Sequence, residues 1–239
     1  MPPRSASTRF ADVRRFETVA STNAAAAELA RPGLVVVADH QSAGRGRLGR
    51  SWEAPPGSSM LVSVVLDAAW LDGPQLGTVA LALAASDACE AAAGVRPLLK
   101  WPNDLVVGEG KLGGILAEAL PRAGVVVAGL GLNVRWGTRA PPPPGVSLDA
   151  LGARLAPADL LAGLLAALDA RLDQDASALL DDYRARSATL GQVVRVETGG
   201  GPVDGTAVDI TTDGHLVVAD GAGARQTIPA GDVVHLRPA

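Results

Sequence analysis

The sequence predicts an α+β protein, with a mixed β-sheet and flanking helices over residues 1–188 and a small β-barrel over residues 189–239. Short apolar runs of strand length alternate with helix-like stretches as far as Arg186, the pattern of a sheet packed with helices. Beyond Gly191 the texture changes to short strand candidates between Gly, Asp and Pro turns, which reads as a separate all-β unit with its boundary near Ala188. Aromatic residues are only 3% of the 239. A core of this size therefore rests on Leu, Val and Ala, and each tryptophan is conspicuous.

The elements follow in order. Ser21-Thr22-Asn23 precedes an alanine-rich run to Ala30, so a hydroxyl cap starts a helix that Pro32-Gly33 stops. Leu34 to Asp39 reads as a buried strand and Met60 to Leu66 as a second, with Pro55-Pro56-Gly57 turning the chain between them. Gln75 to Ala93 has helical composition and ends at Gly94, and Leu98 to Trp101 is extended before Pro102. Leu105 to Val107, a Gly108-Glu109-Gly110 turn and Leu112 to Leu120 make a hairpin, followed by a buried strand from Val125 to Leu132. Pro141 to Pro144 suits neither helix nor interior strand and reads as an extended surface connector. Two amphipathic helices, Pro157 to Leu172 and Ala176 to Arg186, complete the first unit. The second is built from Val193 to Val196, Ala207 to Ile210, Leu216 to Val218 and Thr227 to Ile228.

Composition excludes several functions. A formal net charge of −4 argues against nonspecific DNA binding, which draws its affinity from a broad basic surface. A single cysteine, Cys89, permits neither a disulfide framework nor a thiolate zinc site. His40, His215 and His235 are scattered without metal-ligand spacing. No uninterrupted apolar run reaches the roughly 18 residues that span a bilayer, and no apolar signal segment follows Met1-Pro2-Pro3-Arg4. The expectation is a soluble cytoplasmic protein with no membrane partner.

Any cationic function must be local, and one segment supplies it. From Gly44 to Trp52 the chain reads GRGRLGRSW, with Arg45, Arg47 and Arg50 set among Gly44, Gly46 and Gly49 and no acid between His40 and Trp52. Like charges on a chain that cannot hold a regular helix are costly unless an anion neutralises them. A solvated surface turn has the same composition. Four further segments put polar groups beside apolar strands: Ser21-Thr22-Asn23, Lys100-Trp101-Pro102-Asn103-Asp104, Lys111-Leu112-Gly113-Gly114 and Gly129-Leu130-Gly131-Leu132-Asn133. Taken singly, these are equally a helix cap, a local Lys100–Asp104 ion pair and ordinary glycine turns. Lys100 and Lys111 are the chain's two lysines, and both fall in these segments.

In this order, GRGRxGRxW, KWPND, KLGGIL and GLGLN closely resemble the biotin protein ligases, from about Phe16 to the C-terminus. The resemblance implies a mixed α/β catalytic domain followed by an SH3-like β-barrel. It also implies ATP-dependent activation of biotin to biotinyl-5′-AMP and transfer to one lysine of a biotin carboxyl carrier domain. Two anions must then meet despite repulsion, and excluding water makes cations worth more: about 4 kcal/mol for a unit pair at 4 Å and an effective dielectric near 20, against about 1 kcal/mol in water.

By resemblance, Gly44, Arg45, Gly46, Arg47 and Arg50 belong to the adenylate loop, with Arg45 and Arg47 near the carboxylate and phosphates and Arg50 an outer partner. Ser21, Thr22, Asn23 and Gln41 match biotin head-group positions. Lys111 matches the lysine that reaches the biotin carboxyl and the α-phosphate, and Gly114 passes close to biotin. Lys100 and Asn103 are placed on the adenylate. Asp104 is assigned to the incoming lysine or to Mg²⁺ arriving with ATP. Trp52 and Trp101 are ring walls or core anchors, and Trp136 and Asn133 are assigned to the adenine side. The arginine loop is then a lid over a mixed anhydride.

Some members of this family carry an N-terminal DNA-binding domain. About twenty residues precede Ser21 here, so the expectation is the class that does not bind DNA, as a monomer or weak dimer. A lipoate–protein ligase and a noncatalytic biotin- or carrier-binding protein are the competing readings. Biotin-dependent ATP–pyrophosphate exchange separates all three.

Overall fold

The computed structural model describes residues 9–235. Its larger sheet has seven strands in the spatial order β1 (Asp12–Val19), β2 (Leu34–Gln41), β3 (Ser59–Asp67), β7 (Val125–Asn133), β6 (Gly110–Leu120), β5 (Asp104–Val107) and β4 (Leu98–Lys100). The β1–β2 pair is parallel and the remaining pairs are antiparallel, so the sheet is mixed. Helix α1 (Thr22–Leu29) is the crossover of the parallel pair, and the Ser21 hydroxyl caps it by accepting from the Ala24 amide. That cap satisfies one of the orphan amides of the first turn.

The central strands read as continuous apolar runs because both faces are covered. Val35, Val64 and Val126 join the main core with α2 (Leu76–Ala93), α3 (Pro157–Arg171) and α4 (Ala176–Ala185). Their neighbours Leu34, Val36, Val65, Val125 and Val127 point the other way and form a second cluster with Ala26 of α1. Alternation of side chains along a strand gives each face its own core. By length and composition α2 is apolar enough to cross a membrane, but 67% of it is buried in the protein. It is the central core helix, and Arg171 of α3 and Arg186 just after α4 both pair with its Asp87, at 2.8 and 2.5 Å.

The smaller sheet is antiparallel and SH3-like, in the order β11 (Arg225–Ile228), β10 (Leu216–Ala219), β9 (Gly201–Ile210), β8 (Val193–Thr198) and β12 (Asp232–His235). It is tied to the larger sheet beside β4. The Trp101 amide donates to Thr189 Oγ1 at 3.0 Å, and the Trp101 indole to the Gly214 carbonyl at 3.0 Å.

Two strands had no sequence signal. β1 is an edge strand whose middle, Arg14 to Thr18, is exposed, so apart from Val13, which packs against the core, it is held by its backbone ladder to β2. β12 is four residues long and gains its place by pairing with β8.

Candidate active site

A cavity of about 970 Å³ opens between the two sheets. Its floor begins where β7 loses its side chains. On the face that carries Val125 and Val127 beneath α1, the next inward positions are Gly129 and Gly131, and both line the cavity with Gly114, the cross-strand partner of Gly131. A Cβ on Gly129 would lie 2.0 Å from Asn23 Oδ1, and one on Gly131 would lie 2.5 Å from the Trp52 ring. The glycines make room for an amide and an indole.

One end of the floor is polar. Thr22 Oγ1 and the Thr22 amide donate to Gln41 Oε1 at 3.0 and 2.7 Å. Asn23 Nδ2 donates to the Leu116 carbonyl at 3.0 Å and to Glu118 at 2.9 Å. Ser63 Oγ lies 2.8 Å from Thr22 Oγ1 and 2.7 Å from Asn23 Oδ1. Ser21, Thr22 and Asn23 are all buried, and a buried network of this kind fixes donors and acceptors in place. Sequence reasoning missed Ser63, although it stands as the one hydroxyl inside the Leu61–Leu66 run.

Lys111 is positioned by an irregularity. Strict alternation would put Lys111 and Gly114 on opposite faces of β6, but the β5–β6 register slips between Leu105 and Val106 and leaves Leu112 as the extra residue. Such a bulge re-aims a side chain. Lys111 consequently reaches back over Gly114, where a Cβ would sit 3.3 Å from Lys111 Nζ and 3.4 Å from Asp104 Oδ1. The Lys111 ammonium meets Asp104 Oδ1 at 2.7 Å and lies 5.8 Å from the Trp52 ring centre. The Lys111 backbone is bracketed too: its amide donates to the Pro144 carbonyl at 2.8 Å, and its carbonyl accepts from Val146 at 2.9 Å. The proline connector thus grips the lysine rather than merely crossing the surface.

The arginine loop forms the opposite wall. The Gly46 amide bonds the Arg50 carbonyl at 2.6 Å and the Trp52 amide bonds Gly44 at 3.0 Å, closing the loop at its base. Its tip, Leu48, is exposed with φ 56°, a left-handed conformation that is costly for a branched side chain. Arg47 donates to Asn103 Oδ1 at 3.4 Å, and Asn103 Nδ2 holds the Ile115 carbonyl at 2.7 Å. Arg45, Arg47, Arg50, Lys100 and Lys111 line the cavity against the carboxylates of Asp104, Glu109 and Asp232. Burial lowers the pKa of the Arg47 guanidinium, with Asp232 and Asp104 opposing the shift and Arg50 adding to it. The cavity is cationic in a chain of net negative charge, as local anion binding needs.

Three expected contacts move. Gly44 is outside the cavity lining, and a Cβ there would lie 2.3 Å from the Trp52 carbonyl, so its small size serves the base of the loop. Asn133 is buried and turned inward, its amide donating to the Val146 carbonyl at 3.1 Å and toward the Lys111 carbonyl at 3.4 Å. Trp136 is buried, with its indole donating to Ser59 at 3.3 Å. These two support the strand ends beneath Lys111 and lie outside the lining. The alternative of a Lys100–Asp104 pair gives way to Lys111–Asp104. The other expected residues, Trp101 included, line the one cavity.

Residues 16–134 match the biotin/lipoate A/B protein ligase family, and residues 189–236 match the biotin protein ligase C-terminal domain. The chain is 40% identical over 242 residues to a biotin–(acetyl-CoA-carboxylase) ligase of Mycobacterium tuberculosis, covering 94% of this chain and 90% of the relative. The chain belongs to the biotin protein ligase family. A second ligase of that description, from Paracoccus denitrificans, is 37% identical and covers 89% of this chain and 96% of its own. Among solved structures, the biotin protein ligase of Aquifex aeolicus in complex with biotin and ATP superposes with a TM-score of 0.83 at 25% identity, covering 96% of this chain and all of the other. That superposition spans both the larger mixed sheet and the small antiparallel one of this chain.

Proposed function

We propose that this protein activates biotin with ATP and transfers the biotinyl group to a lysine of a biotin carboxyl carrier domain, acting in the cytoplasm. The observation that carries the reading is the polarity of the cavity: a buried network of neutral donors and acceptors at one end, and a cluster of cations beside it. A neutral ureido ring suits the first and a carboxylate with a polyphosphate suits the second. A volume of about 970 Å³ lies at the upper end for small-molecule sites, as two substrates held side by side require.

In this reading the head group of biotin meets Ser21, Thr22, Asn23 and Gln41, and its carboxylate lies toward Lys111 and Arg45. The carboxylate oxygen attacks the α-phosphorus of ATP, and pyrophosphate leaves. Lys111 follows the charge from carboxylate to phosphorus, because a flexible ammonium can track it. Arg47 and Arg50 neutralise the departing phosphates, and Lys100 and Asn103 hold the nucleotide side. The carrier lysine then attacks the acyl carbon and AMP leaves.

Asp104 is released as Lys111 turns to the anions, and it orients the incoming ammonium and takes up its proton. Magnesium would travel with the ATP phosphates. Asp104 is the chain's carboxylate placed to reach a magnesium ion arriving there, with the ATP phosphates supplying the other ligands.

Biotin-dependent ATP–pyrophosphate exchange tests activation, and lipoate dependence or absence of exchange would overturn the reading. Asp104→Asn should slow transfer to the carrier about tenfold more than it slows adenylate formation. Equal loss in both half-reactions would remove Asp104 from the transfer step.

A further inference from the structure

We propose that Asp232, on the small sheet, is the resident counter-ion of the arginine loop, holding it against the cleft until substrate phosphate displaces it. The inference rests on the reading of Arg47 and Arg50 as phosphate ligands. Asp232 opens β12 at the rim of the cavity. Its Oδ2 accepts from Arg50 at 2.5 Å and its Oδ1 lies 3.7 Å from Arg47. The preceding carbonyl, Gly231 O, accepts from Arg47 at 3.3 Å.

These acceptors are held firmly. A Cβ at Gly231 would lie 2.6 Å from Val196 and 2.9 Å from the Glu197 carbonyl, so the chain there is pressed against β8, and Asp232 itself pairs with Glu197 across the ladder. The loop spans more than 180 residues of sequence to reach this clasp. The stretch from His40 to Trp52 contains no carboxylate of its own, so the loop's counter-charge comes from elsewhere in the fold: Asp232 in direct contact and Asp104 acting on Arg47 through the electrostatic field.

The charge balance makes the clasp provisional. One carboxylate faces two guanidinium groups, and the Arg50 and Asp232 side chains are 59% and 32% exposed, so water weakens the pairing. A polyphosphate brings several charges and bidentate geometry to the same arginines and wins the exchange. Asp232 therefore acts on the reaction through the loop, as a positioning residue. It keeps Arg47 and Arg50 gathered near the site, and it competes with ATP for them.

The test compares the full-length protein with Asp232→Asn and Asp232→Glu. Two readouts are followed: trypsin nicking at Arg45, Arg47 and Arg50 without ligand, and ATP affinity. Asp232→Asn should raise nicking at least threefold and lower the ATP KM about threefold, with the change falling on KM rather than kcat, and Asp232→Glu should restore both. In the native protein, salt should raise nicking, and in Asp232→Asn it should have little effect. Unchanged nicking, or a raised ATP KM, would overturn the counter-ion role and leave Asp232 a structural support. Absence of biotin-dependent exchange in the native protein would instead overturn the phosphate-binding reading, and the nicking measurement would still report the clasp.

Discussion

Lys111 and the arginine loop bring the same sign of charge to one cavity, yet they are held in opposite ways. Lys111 stands on an interior strand, re-aimed by a bulge, gripped by the proline connector and matched to Asp104 at 2.7 Å. The arginines stand on a loop closed at its base, with an exposed left-handed leucine at its tip and a clasp supplied by the other sheet. The lesson is a division of labour. The charge that must sit at the reacting atoms is preorganised by the fold, and the charge that must admit and release a bulky anion is left adjustable.

The largest test of this contrast is Lys111→Ala. It should cost about 10²–10³-fold in adenylate formation, roughly 3–4 kcal/mol, the scale of removing one preorganised electrostatic group. Lys111→Arg should fail to rescue it, because a planar fork does not fit the space that Gly114 leaves for a slender ammonium. Single-turnover rates within threefold of native would erase the distinction between the two walls.

Next comes Gly131→Ala, which challenges the rigidity of the wall under Lys111. The new methyl would lie 2.5 Å from the Trp52 ring, and overpacking of this kind costs about 1–3 kcal/mol. A lowered urea midpoint with unchanged m-value is the expected result, and no shift in midpoint would show that the indole moves freely.

Arg47→Ala probes the adjustable wall. It should leave the thermal midpoint within a few degrees of native while biotinyl-adenylate escapes or hydrolyses about tenfold faster, near 1.4 kcal/mol. Unchanged retention of the adenylate would remove the role of a lid. Leu48→Gly should have the smallest effect. It relieves the positive φ but frees the unfolded chain, so stability should change by less than about 1 kcal/mol, and a larger loss would mean that the leucine side chain anchors the loop.

Much of this arrangement was legible in the sequence because the motifs are local. The capped alanine helix, the hairpin that carries Lys111 and the glycine-rich basic loop each announce themselves within a dozen residues. What sequence could not supply was direction. Asn133 and Trp136 sit in the right stretch, but whether an amide at a strand end turns to the cavity or to the Val146 carbonyl depends on how the connector returns. Nor does sequence rank distant partners. Asp232 is one acid among many in the small unit until folding brings it against Arg50, and Ser63 is a lone polar interruption until α1 sets Thr22 and Asn23 above it. The β1 edge was invisible for a related reason, since a strand exposed over most of its length leaves no alternation to read.

The indole of Trp52 lines the cavity, packs on Gly131, lies 5.8 Å from the Lys111 ammonium and has an N–H shielded from water with no acceptor among the described residues. Of the other tryptophans, Trp70 packs against Phe10, and Trp101, which also lines the cavity, and Trp136 already donate their N–H groups to protein acceptors. Trp52 is therefore a built-in optical gauge. Its emission should follow the local electric field of the cleft, so that an anion arriving at Lys111 is expected to shift its colour without any added dye, a shift that Trp52→Phe should abolish.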